Sequence, residues 1–247
     1  MERFIEIMGF MAGPLSIVLG FLYDVIQNYG ITILTFTLII KLVLYPLHAK
    51  QVKSSVKMSE MQPKLDELKK KYANDKQTLN MKVMELYKTE KFNPASGCLP
   101  ALIQMPIIFG LFALLRNPMR HIEGEAMIIA THEPFLWIGS LSQPDPWILP
   151  VLAGIATFIS FSQTQAHQGK ALEANPMMGQ MMKMMRYLLP IMILIMGRTF
   201  PAGLTIYWFF SQAVQIVFNL HLNRVRKKLK MELERKNKMK QQQQRER

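Results

Sequence analysis

Cysteine is almost absent from this chain: Cys98 is the only one in 247 residues. A single thiol excludes an internal disulfide and a cysteine-rich metal site, so redox chemistry is set aside and the fold must rest on burial and packing. Acidic residues are also scarce, with 17 Asp and Glu against 30 Lys and Arg, a net charge of +13. That imbalance directs the water-exposed parts toward anionic lipid or nucleic acid. The opening carries Glu2, Arg3 and Glu6 in place of a basic run, so a cleaved signal peptide is not expected. No G-x-S-x-G elbow occurs, and His48 lies at the end of an apolar run, which argues against an intramembrane protease. No enzyme activity, cofactor or metal is expected.

What the chain has is apolar length. Half of its residues are hydrophobic, in runs too long and uncharged for a soluble core, which predicts an all-α membrane protein. The first span is ITILTFTLIIKLVLYPL, residues 31 to 47, after the turn signal Asn28-Tyr29-Gly30. Residues 98 to 115 and 148 to 165 supply the second and third. A fourth, shorter stretch runs from Tyr187 to Phe200, and the turn Pro201-Ala202-Gly203 leads into a fifth from Leu204 to Leu222. Ahead of them, residues 1–29 are apolar but broken by Gly9, Gly13, Pro14 and Gly20. Ser16, Gly20, Asp24 and Gln27 recur there on one helical face, as in an amphipathic helix lying in the interface, with an additional span as the alternative.

The membrane domain is therefore 30–222. Within it, residues 48–97 carry eleven lysines against six acids and break at Asn74-Asp75-Lys76, which predicts a cytosolic helical hairpin. Residues 116–147 hold four acids against two arginines and form an outer loop punctuated by Pro134, Pro144 and Pro146. The link 166–186 is polar and Met-rich, and residues 223–247 read as a basic disordered tail ending in a Gln run. Hairpin, link and tail are all net positive, whereas the first segment and outer loop are net negative. The positive-inside rule then sets the amino terminus outside and the tail in the cytosol, which an odd number of spans satisfies.

The residues that do not belong in lipid carry the functional signal. Lys41 lies about 9 Å of helix from the end of the first span at Leu47. A lysine there costs a few kcal/mol on insertion scales unless it snorkels, pairs or sits in water. Thr37, Lys41, Tyr45 and His48 form a polar stripe at near-helical spacing, and Thr205, Trp208, Gln212, Gln215 and Asn219 form another on the fifth span. The third repeats it with Thr157, Ser160, Gln163 and Thr164, and the second holds Gln104. Such faces either glue helices together or line a hydrated cavity. None of the five spans contains an Asp or Glu to neutralise Lys41, which favours a hydrated, positively charged cavity able to draw an acidic or polar guest. The candidate groove residues are Lys41, Gln104, Trp208, Gln212, Thr37, Thr205 and Gln163. A small-solute transporter or channel would use the same features, but no inverted repeat and no intramembrane acid is present. Methionines cluster at 177, 178, 181, 182, 184 and 185 and at 58, 61, 81 and 84, either as an adaptable client surface or as packing.

Three stretches carry a resemblance. FNPASGCLPALIQMPIIFGLF (92–112) resembles the approach to the second span of YidC-type membrane protein insertases, RTFPAGLTIYWFFSQ (198–212) resembles their final hairpin, and QPKLDELKKKY (62–72) resembles their cytosolic hairpin. The chain looks most like the short, five-span form of Gram-positive bacteria. The resemblance implies spans enclosing a hydrophilic groove that opens to the cytosol and to lipid and is closed toward the outside. It implies a plasma-membrane protein that inserts nascent membrane proteins into the bilayer as a monomer, alone or beside the Sec translocon, while the Lys/Arg-rich tail suits either the ribosome, through its RNA, or anionic lipid. The family's arginine in the first span corresponds to Lys41, which keeps the charge but lacks the guanidinium fork. Its usual Asn after the Tyr-Trp pair is Gln212 here.

Overall fold

The computed structural model describes residues 12–93, 99–116, 125–168 and 176–245. Cys98, the charged opening residues and Gly9 lie outside them, as do the side chains of Met177 and Met178. The described helices are α1 (Ala12–Ile26), α2 (Tyr29–Lys71), α3 (Lys76–Thr89), α4 (Leu99–Arg116), α5 (Glu125–Ala130), α6 (Ile148–Gln168), α7 (Pro176–Gly197) and α8 (Ala202–Arg245). Among the described residues the only strand-like pairing is one isolated bridge, Phe135 with Ile138. The chain is all-helical.

Local chemistry sets the helix ends. Between α1 and α2 the chain turns in two residues: Gln27 adopts a left-handed φ of 55°, and the Asn28 side chain accepts the N–H of Ile31 at 3.0 Å. Asn28 is thus an N-cap, so helix resumes at Tyr29, within the expected turn. Asp75 caps α3, accepting from the backbone N–H of Thr78 at 3.0 Å and from its hydroxyl at 2.6 Å. Asp145 does the same for α6, taking the N–H groups of Trp147 at 3.0 Å and Leu149 at 3.2 Å. The first amides of α8 are satisfied from the outer loop, Ala202 donating to the Gln143 carbonyl and Gly203 to that of Leu141, both at 2.9 Å.

Three expectations change at the helix boundaries. The helix of the first span does not end at Leu47: α2 is 43 residues long and runs through Pro46 and Pro63 into the basic segment. Extending a nucleated helix adds one hydrogen bond per residue fixed, whereas a new nucleus is costly, and this offsets the bond lost at each proline. The Met-rich link is helical from Pro176, a residue suited to the first helical position. The tail expected to be disordered is instead the end of α8, helical to Arg245. Lys, Arg, Glu, Gln and Met are strong helix formers continuing an existing helix.

The chain divides into two compact units. The first comprises Met1–Tyr45, Cys98–Phe161 and Met185–Ile216. Its core is built from α1, α2, α4, the outer loop and α8, around Leu19, Tyr29, Phe36, Leu111, Leu114, Leu141, Leu204 and Tyr207. Here α1 packs on α4. A Cβ on Gly203 would sit 3.2 Å from the Ile33 side chain and 3.4 Å from that of Leu115, so this glycine permits the close approach of α8 to α2 and α4.

The second unit comprises Pro46–Gly97, Ser162–Met184 and Val217–Arg247. Its core is the hairpin of α2 and α3: Met58, Met61 and Leu65 against Leu79, Val83 and Tyr87. Glu90 closes the hairpin by pairing with Lys64, which holds its carboxyl below the usual range, and its carbonyl accepts from Lys57 Nζ at 2.6 Å. Met58 and Met61 are core residues, whereas Met81 and Met84 are exposed.

Large apolar side chains also face outward along the helices: Ile17, Phe21 and Val25 on α1, Leu42 and Val43 on α2, Ile155 on α6, Leu188, Ile191 and Ile195 on α7, and Val217 and Leu220 on α8. A water-soluble protein does not leave that many large apolar side chains open. Among the described residues two helical segments, Tyr29–Lys71 and Ile148–Ala166, are long and apolar enough to cross a membrane, and Ala12–Ile26 and Ile103–Leu115 are apolar but shorter.

Candidate functional site

In the first unit α8 is the hub. It makes polar contacts to three other helices, at successive levels. Near its start, Gln104 of α4 donates to the hydroxyl of Tyr207. One residue on, the Trp208 indole N–H donates to Thr157 Oγ1 on α6 at 2.9 Å. Two turns further, Lys41 Nζ of α2 lies 3.4 Å from Gln215 Oε1. Trp208 and Gln215 lie two turns apart on the polar stripe of α8, whereas Tyr207 points to a neighbouring face.

Lys41 is only 5% exposed. A snorkelling lysine would extend its ammonium out along the helix; this one points into the helical assembly, so the stem-along-lipid arrangement does not apply. Its contact with Gln215 is long for a hydrogen bond. No carboxylate lies within ion-pair distance of it among the described residues, where the ion pairs are Lys64 with Glu90 and Lys82 with Glu85. The charge is therefore buried next to neutral dipoles.

The remaining expected residues divide by how their polarity is satisfied. Thr37 is fully buried and donates to the Ile33 carbonyl at 2.6 Å. Thr205 makes the same four-back contact to Pro201 at 3.4 Å. Such hydroxyls are satisfied within their own helix and need no water. Gln212 is half-buried on α8. Gln163 belongs to the second unit, and its side-chain oxygen is buried with no partner among the described residues. Asn219, also of the second unit, donates to Thr164 at 3.3 Å. Arg226 donates to Asn223 at 2.6 Å, and burial pulls its guanidinium down to about 10.

Sequence reasoning missed Tyr207. It is 1% exposed and tilts against Phe36 at 6.4 Å between ring centroids. The signal was available: a buried tyrosine needs a hydroxyl partner, and Gln104 was the strongly polar residue of its span. Glu133 was missed as well. Its carboxylate accepts from the Tyr23 hydroxyl of α1 and from the Tyr29 N–H at the start of α2, at 2.8 Å, tying both helices to the outer loop. Nothing in the spacing announces that, because the partners are more than a hundred residues apart.

The comparisons with known proteins bear on this assembly. Residues 21–232 match the family described as 60Kd inner membrane protein. The membrane protein insertase YidC of Fusobacterium nucleatum is 42% identical over 193 residues, covering 78% of this chain and 84% of that protein. The chain belongs to the YidC insertase family. The YidC insertase of Oceanobacillus iheyensis is 39% identical over 203 residues, covering 80% of this chain and 75% of the relative. That of Geobacter sp. strain M21 is 40% identical over 230 residues, but those are 90% of this chain and 39% of the relative. The chain thus spans about two fifths of the length of some curated YidC relatives it matches. A crystal structure of an active YidC insertase with its first transmembrane domain resolved aligns with a TM-score of 0.58 at 26% identity, over 84% of this chain and 45% of the other. The helical transmembrane character read from composition agrees with this family.

Proposed function

We propose that this chain inserts nascent membrane proteins into the bilayer through a hydrophilic groove in which Lys41 is the attracting charge. The observation that carries the proposal is Lys41 itself: an ammonium buried inside an apolar helical assembly with Gln215 beside it and, among the described residues, no carboxylate to neutralise it. A buried cation of that kind costs several kcal/mol, so retaining it makes sense where water or an anionic guest reaches it. Membership in a family whose relatives are named insertases supports the same reading.

In this reading the apolar parts of α2, α4, α6, α7 and α8 are the five spans, with the amino terminus outside and the tail in the cytosol of a bacterial cell. Residues 1–29 form an interfacial segment; the outward Ile17, Phe21 and Val25 of α1, one helical turn apart, support this. The substrate docks on the cytosolic hairpin, its hydrophilic flank enters near Lys41, Gln104, Trp208 and Gln212, and its apolar segment moves into lipid. Burial of that segment, about 0.8 kcal/mol per methylene, drives the step without nucleotide. The tail end of α8 carries a lysine- and arginine-rich surface suited to ribosomal RNA or anionic lipid. The insertase acts as a monomer, alone or beside the Sec translocon.

The test is complementation in cells depleted of their own insertase, reading insertion of a small single-span client. Lys41→Arg should support insertion and Lys41→Glu should impair it. Normal insertion of every client by Lys41→Glu would sink the charged-groove mechanism.

A further inference from the structure

At the start of α6 lies a second constellation that the groove does not use. Asp145 is buried, and its carboxylate is occupied by neutral donors: the indole N–H of Trp137 at 2.8 Å on one oxygen, and the amides of Trp147 and Leu149 on the other. The Trp137 indole and the Trp147 backbone are thereby held, yet the two residues remain 49% and 56% exposed. Over the Trp147 ring lies the guanidinium of Arg198, 4.0 Å from the centroid. Arg198 has no carboxylate within ion-pair distance among the described residues. Stacking uses the flat face of a guanidinium and leaves the N–H groups on its edge free. Next to the tryptophans in the chain, Leu136 and Ile148 are 75% and 54% exposed.

Exposed indoles, bare aliphatic groups and a stacked cation with no carboxylate partner among the described residues together match one environment, the headgroup level of a bilayer. We infer that Arg198 and Trp147 form a seat for the phosphodiester of a glycerophospholipid, with its glycerol and upper acyl carbons along Trp137, Leu136 and Ile148. The free edge of Arg198 donates to the phosphate oxygens, the pairing its fork geometry favours. Charge complementarity selects a phosphate-bearing lipid: a neutral lipid would leave the guanidinium facing only water. This rests on the reading that the outer-loop end of the helices lies at a membrane face.

The full chain, purified in neutral detergent, is titrated with phosphatidylglycerol and read by native mass spectrometry. One lipid should be held tightly, and Arg198→Gln should lower its occupancy at least about fivefold at equal lipid, with Arg198→Lys between the two. Trp147→Leu should also lower it, whereas Lys183→Gln, exposed on α7 and away from the basic tail, should not. A melting curve for each variant separates lost binding from lost folding. Diacylglycerol with the same acyl chains should not be retained, and inorganic phosphate should not displace the lipid. Wild-type occupancy in folded Arg198→Gln, equal retention of diacylglycerol, or full displacement by phosphate would each overturn the seat. Client insertion measured on the same variants separates the two readings. Lipid retained without insertion counts against the insertase function alone, and insertion without a retained lipid counts against the seat alone.

Discussion

The indole N–H of Trp208 donates to Thr157 Oγ1 at 2.9 Å, and that hydroxyl in turn donates to the Ala153 carbonyl at 2.6 Å. The Trp208 bond joins α8 to α6, and the Thr157 hydroxyl is a donor and an acceptor at once. Trp208→Phe keeps most of the ring and deletes the bond, and Thr157→Val deletes it from the other side. Each should lower resistance to unfolding in bicelles by about 1 kcal/mol or less, and the double-mutant coupling should be about 0.6 kcal/mol, the average for hydrogen bonds between membrane helices. Zero coupling would mean that the pair merely touches.

Lys41 separates stability from function. Replacing a buried, poorly paired charge with an apolar side chain of similar length is commonly neutral or stabilising. Lys41→Met should therefore unfold no more easily than the native chain while losing client insertion. If Lys41 were only helix glue, the same change would weaken the fold and leave insertion in proportion to the folded fraction. Parallel unfolding and complementation measurements distinguish the two.

The helical class and the polar faces were legible in the sequence because they rest on periodicity, which is local, whereas the short α5 inside the outer loop was not. Thr37, Lys41, Thr205, Trp208 and Gln215 announce themselves as polar residues at helical spacing in apolar runs. Which polar group meets which is a tertiary matter. Gln104 pairs with Tyr207, one position off the stripe that spacing picks out, and Glu133 reaches back to Tyr23 and Tyr29 across the chain. The helical tail was misread for a different reason. Composition tests ask whether a segment can bury a core, and residues 223–245 cannot, but they need none when α8 already supplies the nucleus.

Gly30 is the tightest glycine described. A Cβ there would overlap the Phe135 ring of the outer loop, so Gly30→Ala must push that ring out of a packed site. Overpacking of this kind costs about 1–3 kcal/mol. Phe135→Ala should be destabilising alone, yet Gly30→Ala combined with it should cost less than the sum, because the clash has gone. Strict additivity in chemical unfolding would show that the ring and Gly30 do not contact in the native state.

Asp75 gives the hairpin a pH dependence with a definite sign. Its bonds to the hydroxyl and amide of Thr78 favour the carboxylate and hold its pKa below the ordinary value. A group whose folded pKa is lowered contributes stability above its unfolded pKa and loses it as pH falls through the folded one. The start of α3 should therefore be equally protected at neutral and mildly acidic pH. Protection should fall once the pH drops through the ordinary carboxylate value of about 4 toward the lowered one. Asp75→Ala should remove that pH dependence and speed exchange at Thr78 already at neutral pH, because the cap is gone. Amide hydrogen exchange across Lys76 to Leu79, corrected for intrinsic rates, reads both effects. Exchange in Asp75→Ala with the wild-type pH profile would assign the dependence to another group, Glu90 with its Lys64 partner being the next in line.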